Sequence, residues 1–118
     1  MEKVIVESPY AGNVAENLKY ARLCMVDCLK RGEAPLASHL LYTQVLDDTV
    51  VEERDLGIRA GLAWSGPDVK HVFYVDNGIS AGMKLAAKRC YIYELRSLHT
   101  PVPKVLMSKT DLDFFESL

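Results

Sequence analysis

Two short segments carry residue types that hold small polar ligands, and they share one layout. The first is Glu7-Ser8-Pro9-Tyr10-Ala11-Gly12-Asn13, placed between the apolar run Val4-Ile5-Val6 and a long helix-like stretch. A loop that joins a strand to a helix presents backbone N–H groups at the helix start, where an anion can sit. Tyr10 offers a ring face for stacking on a base or sugar, and Ser8, Gly12 and Asn13 supply polar and close-approach positions around it. The second segment is Asp76-Asn77-Gly78-Ile79-Ser80-Ala81-Gly82-Met83. Ser80 and the N–H groups near Gly82 suit a phosphate or a sugar hydroxyl, and Asp76 suits ribose hydroxyls as an acceptor. Plainer alternatives stand beside these roles: Asp76, Asn77 and Gly78 as turn formers, Ser80 as a helix cap, Tyr10 as surface packing. His39 falls in the apolar stretch Ala34 to Tyr42, where a ligand contact competes with a hydrogen-bonded core histidine. Glu53-Arg54-Asp55 opens a helix, and a solvated helix face accounts for it equally well.

Composition narrows the classes of partner. The 118 residues are 49% hydrophobic and 25% charged, the make-up of one ordinary domain with a core of its own. Fourteen basic against sixteen acidic residues leave a net charge of −2, which speaks against a nucleic-acid polymer as partner. No apolar run approaches the roughly 20 residues a membrane helix needs, so no membrane partner is expected. The start, MEKVIVESPY, carries acids and a proline and reads as a strand rather than a secretion signal. Cys24, Cys28 and Cys90 are odd in number, and Cys24 and Cys28 lie four apart on a helix pattern, so reduced core thiols in a cytoplasm are expected. Neither a C-x-x-C nor an H-x-x-x-H spacing occurs, and no metal or cofactor is assigned.

The elements that must position these residues alternate. Val4 to Val6 predicts a buried strand. Asn13 caps a helix over Val14 to Arg31, with Val14, Leu18, Ala21, Met25 and Leu29 on one face and Gly32 as its stop. Ala34 to Tyr42 predicts a second strand and Gln44 to Val51 a loop. Val51 to Trp64 predicts a second helix, with Glu52 and Glu53 in its first turn and Leu56, Ala60 and Ala63 facing inward. Val69 to Val75 is the densest β-branched and aromatic run. A turn at Asp76-Asn77-Gly78, a helix over Ile79 to Lys88 and a strand over Tyr91 to Leu95 follow. Thr100 to Lys109 reads as irregular, and Asp111 to Leu118 as a terminal helix capped by Thr110. This alternation predicts a single α/β domain: a mostly parallel four- or five-stranded sheet with helices on both faces, of flavodoxin-like or Rossmann-like kind. Such sheets bind ligands beyond the C-terminal strand ends, where the strand order reverses. Both loops named above would lie there.

Three segments resemble the nucleoside 2-deoxyribosyltransferase superfamily, including its nucleotide N-glycosidase members. VIVESPYAGN resembles that family's first strand and loop. VEERDLGIRAGLAW resembles its helix start, with Asp55 in the place of the sugar-side aspartate. VFYVDNGISAGMKLA resembles the strand and loop that run into a glycine-flanked catalytic glutamate. A closer similarity is to small, often phage-encoded proteins with VESPYAG, ASHLLYTQ, LDD and GIS-x-GM segments. The departure from the superfamily is chemical. Aligning Gly82 with the family glycine puts Lys84 where the nucleophilic glutamate belongs, and an ammonium cannot form a glycosyl ester. The resemblance therefore implies a nucleoside-type pocket without the chemistry: a protein that holds a nucleotide-derived molecule, such as a phage protein sequestering an immune signalling nucleotide, with Lys84 as partner of an anionic group. The alternative is a deoxyribosyltransferase or N-glycosidase using a relocated acid among Asp76, Asp55 and Glu7. The resemblance also implies a homo-oligomer with pockets near subunit interfaces, in the host cytoplasm if phage-encoded. The ligand contacts expected from all of this are Ser8, Pro9, Tyr10, Gly12, Asn13, His39, Asp55, Asp76, Gly78, Ser80, Gly82, Met83 and Lys84.

Overall fold

Strand β1 (Glu2–Glu7) forms where sequence patterning demands it: Val4, Ile5 and Val6 are all buried, so both faces of the strand are covered. The computed structural model describes residues 1–99 and 108–118. Within them β1 is followed by α1 (Val14–Lys30), β2 (Glu33–Leu36), α2 (Ser38–Leu41), one 3-10 turn (Tyr42–Gln44), α3 (Val51–Leu62), β3 (Lys70–Tyr74), α4 (Ala81–Arg89), β4 (Ile92–Arg96) and α5 (Lys109–Glu116). The four strands pair in the order β2-β1-β3-β4, and every pair is parallel. The chain steps from β1 to one neighbour and then back past it to β3, so the order reverses at β1.

Alternation along the strands builds two cores. Val4, Val6, Val72 and Tyr74 face α1 and pack on Tyr20, Cys24 and Cys28. On the other side Phe73 and Val75 pack on Met83, Ala86 and Ala87 of α4 and on Phe115 of α5. Helices thus cover both faces of a parallel sheet. Across the α1 face, Arg96 at the end of β4 donates from Nη1 and Nη2 to the two carboxylate oxygens of Glu33 at the start of β2, each at 2.6 Å. That pair ties the two edge strands together.

Caps and turns follow local chemistry. Asn13 accepts from the Glu16 N–H and opens α1. Gly32 (φ +81°) ends it, in a left-handed conformation that glycine adopts without cost. Ser80 caps α4, accepting from the Met83 N–H at 3.2 Å.

Several boundaries differ from the sequence expectation. The stretch Ala34 to Tyr42 is not one strand: β2 ends at Leu36, and Ser38 to Gln44 turn helical. An apolar run of this length suits either state locally, and the packing of α2 on α3 decides it. Helix α1 is rotated from its expected face. Its buried positions are Tyr20, Ala21, Cys24 and Cys28, while Val14 and Leu29 are exposed. Leu56 in α3 and Ala63, which follows its last residue, are exposed rather than inward. The last helix is capped by Ser108, which accepts from the Asp111 N–H, not by Thr110. The irregular stretch expected from Thr100 falls, up to residue 107, outside the described residues.

The contact between α2 and α3 gives a sharp test. A Cβ on Gly61 would stand 2.9 Å from Ser38 Oγ and 3.0 Å from Ser38 Cβ. A Cβ on Gly57, one turn earlier, would meet only Leu46 Cδ1 at 3.4 Å and Tyr42 Cβ at 3.9 Å. Alanine is favoured over glycine within a helix by about 0.5–1 kcal/mol. Gly57→Ala should therefore raise the unfolding free energy by about that amount. Gly61→Ala should lower it by about 1–3 kcal/mol, because overpacking exceeds the helical gain. Urea unfolding of the two variants side by side checks the opposite signs.

Candidate functional site

Beyond the C-terminal end of β1 a cleft of about 230 Å³ opens between α2, α3 and the start of α4. Its position is the one a parallel sheet reserves for ligands, because the crossovers diverge where the strand order reverses. Glu7, Ser8, Tyr10 and Ala11 contribute from the end of β1 and its loop, and Ser38, His39, Tyr42 and Thr43 from α2 and the 3-10 turn. Glu53, Arg54, Gly57 and Gly61 line it from α3, and Ser80, Ala81, Gly82 and Met83 from α4.

The loop after β1 is pinned from α1. Asn17 Nδ2 donates to the carbonyls of Tyr10 (2.9 Å) and Ala11 (3.0 Å). Ser8 Oγ and His39 Nε2 are 2.7 Å apart, joining this loop to α2. Burial pushes His39 down to about 4, so the ring is neutral near pH 7 and one nitrogen can accept. Thr43 Oγ1 donates to the His39 carbonyl, and Trp64 Nε1 donates to the Tyr42 hydroxyl at 2.7 Å, fixing the 3-10 turn against the end of α3. At the start of α4 the Ser80 hydroxyl is engaged as the cap, and the N–H groups of Ala81 and Gly82 belong to the first turn, which has no intrahelical acceptor.

Glu7 sits at the cleft with its Oε1 3.0 Å from His71 Nδ1, and His71 Nε2 lies 2.7 Å from Ser65 Oγ. Burial raises the Glu7 carboxyl above the usual range, and the hydrogen bond and charge of His71 offset this only in part. Among the described residues no group of three or more His, Cys, Asp or Glu is placed to hold a metal ion.

Of the residues expected from sequence, Ser8, Tyr10, His39, Ser80, Gly82 and Met83 line this one cleft. The others stand elsewhere. Pro9 is buried in the loop, Gly12 (φ +98°) and Asn13 are exposed at the start of α1, and Gly78 (φ +86°) forms the turn after β3. Asp55 is exposed and paired with Arg59 at 3.0 Å. Asp76 spends both carboxylate oxygens inside the protein, accepting from Tyr20, Ser97 and the Leu98 N–H. Lys84 is 3.0 Å from Asp111 and lies over the Phe114 ring, because its side of α4 faces α5 rather than the cleft. The cation on the cleft wall is Arg54 instead.

The contacts expected from sequence do not include His71, Ser65, Arg54 or Tyr42; Arg54 stands there only within Glu53-Arg54-Asp55, for which a solvated helix face is the plainer account. Two signals pointed to the floor of the site: an acid directly after Val4-Ile5-Val6, and a histidine inside the apolar run Val69 to Val75. A polar residue at an inward strand position needs a partner, and these two partner each other.

A family model described as a domain of unknown function (DUF7768) matches residues 2–97. No curated protein and no solved structure matches the chain.

Proposed function

We propose that this chain, which belongs to the DUF7768 family, binds a nucleotide-derived small molecule in the cleft beyond β1 and does not turn it over. One observation carries the reading: a stacking face (Tyr10), first-turn N–H groups of α4 and an arginine (Arg54) converge on about 230 Å³ at the switch point of a parallel sheet. That volume lies just below the usual range of ligand sites and suits a mononucleotide or smaller better than a dinucleotide. The anionic part would lie against the α4 start and Arg54 rather than Lys84. The absence of turnover rests on α4, whose first turn carries no acid. A binder of this kind lowers the free concentration of its ligand, and sequestration of a signalling nucleotide is the role it implies. The reading extends to a reducing cytoplasm, which suits the free thiols of Cys24, Cys28 and Cys90. It also includes a homo-oligomer, which the half-exposed Leu23, Val26 and Leu29 along α1 favour.

The test is direct. The protein is purified from cells, denatured, and the released small molecules are identified by mass spectrometry, with calorimetry against nucleoside monophosphates and cyclic nucleotides in parallel. A stoichiometric nucleotide, or binding without release of free base, supports the reading. No released nucleotide and no heat from any of them would overturn it. The second reading, an N-glycosidase or deoxyribosyltransferase, is favoured by the buried Glu7 carboxyl at the cleft floor; release of free base that stops in Glu7→Gln would establish it.

Gly82 separates function from stability. A Cβ there would meet only Ser80 Oγ, at 3.9 Å, so the protein itself leaves room for a side chain. Gly82→Ala should leave the melting temperature unchanged or higher. Gly82→Val should weaken a bound mononucleotide by at least the roughly 1.5–3 kcal/mol of one hydrogen bond to a charged group, since its methyls occupy the approach to the α4 N–H groups. Equal affinity of Gly82→Val and the parent protein by calorimetry would place the ligand elsewhere.

A further inference from the structure

We propose that Glu7 is the ligand-contacting hydrogen-bond acceptor of the cleft, held in that role by His71 and Ser65 as positioning residues. The inference rests on the reading of the cleft as a binding site and names the chemistry it selects. Along β1 the alternation puts Val4 and Val6 under α1, and Ile5 and Glu7 on the opposite face, where the cleft lies. A carboxyl group there loses much of its hydration, so its placement costs stability unless it is used. The protein supplies only half of what the group needs. Oε1 is bonded to His71, while Oε2 has no hydrogen-bond partner among the described residues.

The chain of bonds has a direction. His71 is 1% exposed, and both its ring nitrogens are engaged. The Nδ1–H donates to Glu7 Oε1 whether or not the other ring nitrogen carries a proton, and Ser65 Oγ engages Nε2 in either case. Every member is then satisfied except Oε2 of Glu7, which accepts. The complement of that atom is a neutral O–H or N–H donor: a sugar hydroxyl or the exocyclic amino group of a base. A phosphate is repelled there, and the same molecule's anionic end is left to the other polar groups that line the cleft, Arg54 and the α4 start. The other ionisable groups that line the cleft include His39 on α2, Asp48, Glu53 and Arg54, and the Cys90 thiol after α4 is pushed up by burial and then by the Glu7 charge.

The experiment uses nucleosides, because a phosphate takes up its own proton near pH 6. Adenosine, 2′-deoxyadenosine, 3′-deoxyadenosine and purine riboside are titrated by calorimetry between pH 5 and 8 into the whole protein and into Glu7→Gln, Glu7→Asp and Ser65→Ala. The carboxylate form accepts, so wild-type affinity should fall as the pH falls through the raised Glu7 value. His39 stays neutral over this range. Glu7→Gln should lose about tenfold or more in affinity together with the pH profile, while melting no lower than wild type. Glu7→Asp should keep the profile, and Ser65→Ala should shift its midpoint. The analogue whose affinity ignores Glu7→Gln lacks the donor that Glu7 contacts, which separates a sugar hydroxyl from the base amino group. Binding with an unchanged profile in a folded Glu7→Gln overturns this inference and leaves the proposed function standing. Failure of every nucleoside and nucleotide to bind the wild type overturns the proposed function and this contact together.

Discussion

Arg96→Met should cost about 3–5 kcal/mol of unfolding free energy, a large share of the roughly 5–15 kcal/mol that holds a domain of this size. Arg96 and Glu33 are 4% and 6% exposed, and their bidentate contact at 2.6 Å is buried between sheet and helix. Burying two charges is itself expensive, so the pair as a whole need not be strongly stabilising. Removing one partner is another matter, because it leaves Glu33 charged, desolvated and without its donors. Glu94 also loses a partner, and Lys70, 3.9 Å from Glu33, is too distant and too shared to take over. The double variant Arg96→Met with Glu33→Leu should recover most of the loss, since neither charge then remains buried. Urea denaturation of both singles and the double gives the coupling energy, and equal stability of Arg96→Met and wild type would refute the account.

The same pair sets an acid limit. The hydrogen bonds from Arg96 hold the Glu33 carboxyl below its ordinary value of 4.5. The unfolded chain therefore binds this proton more readily than the folded one. The stabilisation is present above about pH 4.5 and is lost as the pH falls through the lower, folded value. Glu7 works with the opposite sign. Its folded value is raised, so its ionised form costs stability as the pH rises through that value.

What could be read from the sequence divides by range. Strands β1, β3 and β4, the caps Asn13 and Ser80 and the glycine stop of α1 are local matters, and short patterns of side chains specify them. The parallel sheet followed from their alternation. Errors arose where a distant element decides. ASHLLY reads as a strand until Gly61, some twenty residues later, receives Ser38. Lys84 reads as a pocket cation until α5 presents Asp111 and Phe114 to its side of α4. The loops of the candidate site were legible because strand-to-helix loops advertise themselves by glycine, serine and proline. Its floor was not, since Glu7 and His71 lie 64 residues apart and meet only because β1 and β3 are neighbours.

Asp76→Ala should lower the unfolding free energy by about 3 kcal/mol without weakening a bound nucleotide in the protein that remains folded. Asp76 follows β3, and its residue type invites a contact with ribose hydroxyls. Its oxygens are already committed. Oδ1 accepts from Ser97 Oγ at 2.6 Å, Oδ2 accepts from the Tyr20 hydroxyl, and the Leu98 N–H reaches both. The Tyr20 oxygen in turn accepts from the Asp76 N–H at 3.1 Å, so α1 and the segment after β4 are fastened to one carboxylate. Burial alone would raise this group, but the bonds from Ser97, Tyr20 and Leu98 outweigh it and hold the carboxyl below its ordinary value. Each hydrogen bond to a charge is worth roughly 1.5–3 kcal/mol, and three donors on one acceptor do not add in full. Alanine would leave the Tyr20 and Ser97 hydroxyls and the Leu98 N–H short of a partner, and solvent entering the gap returns part of the loss. Asp76→Asn keeps one acceptor oxygen and should fall between the two. Thermal melts give the stabilities, and calorimetry well below the melting temperature gives the affinities. A variant that melts like wild type but no longer binds would move Asp76 from the scaffold into the site.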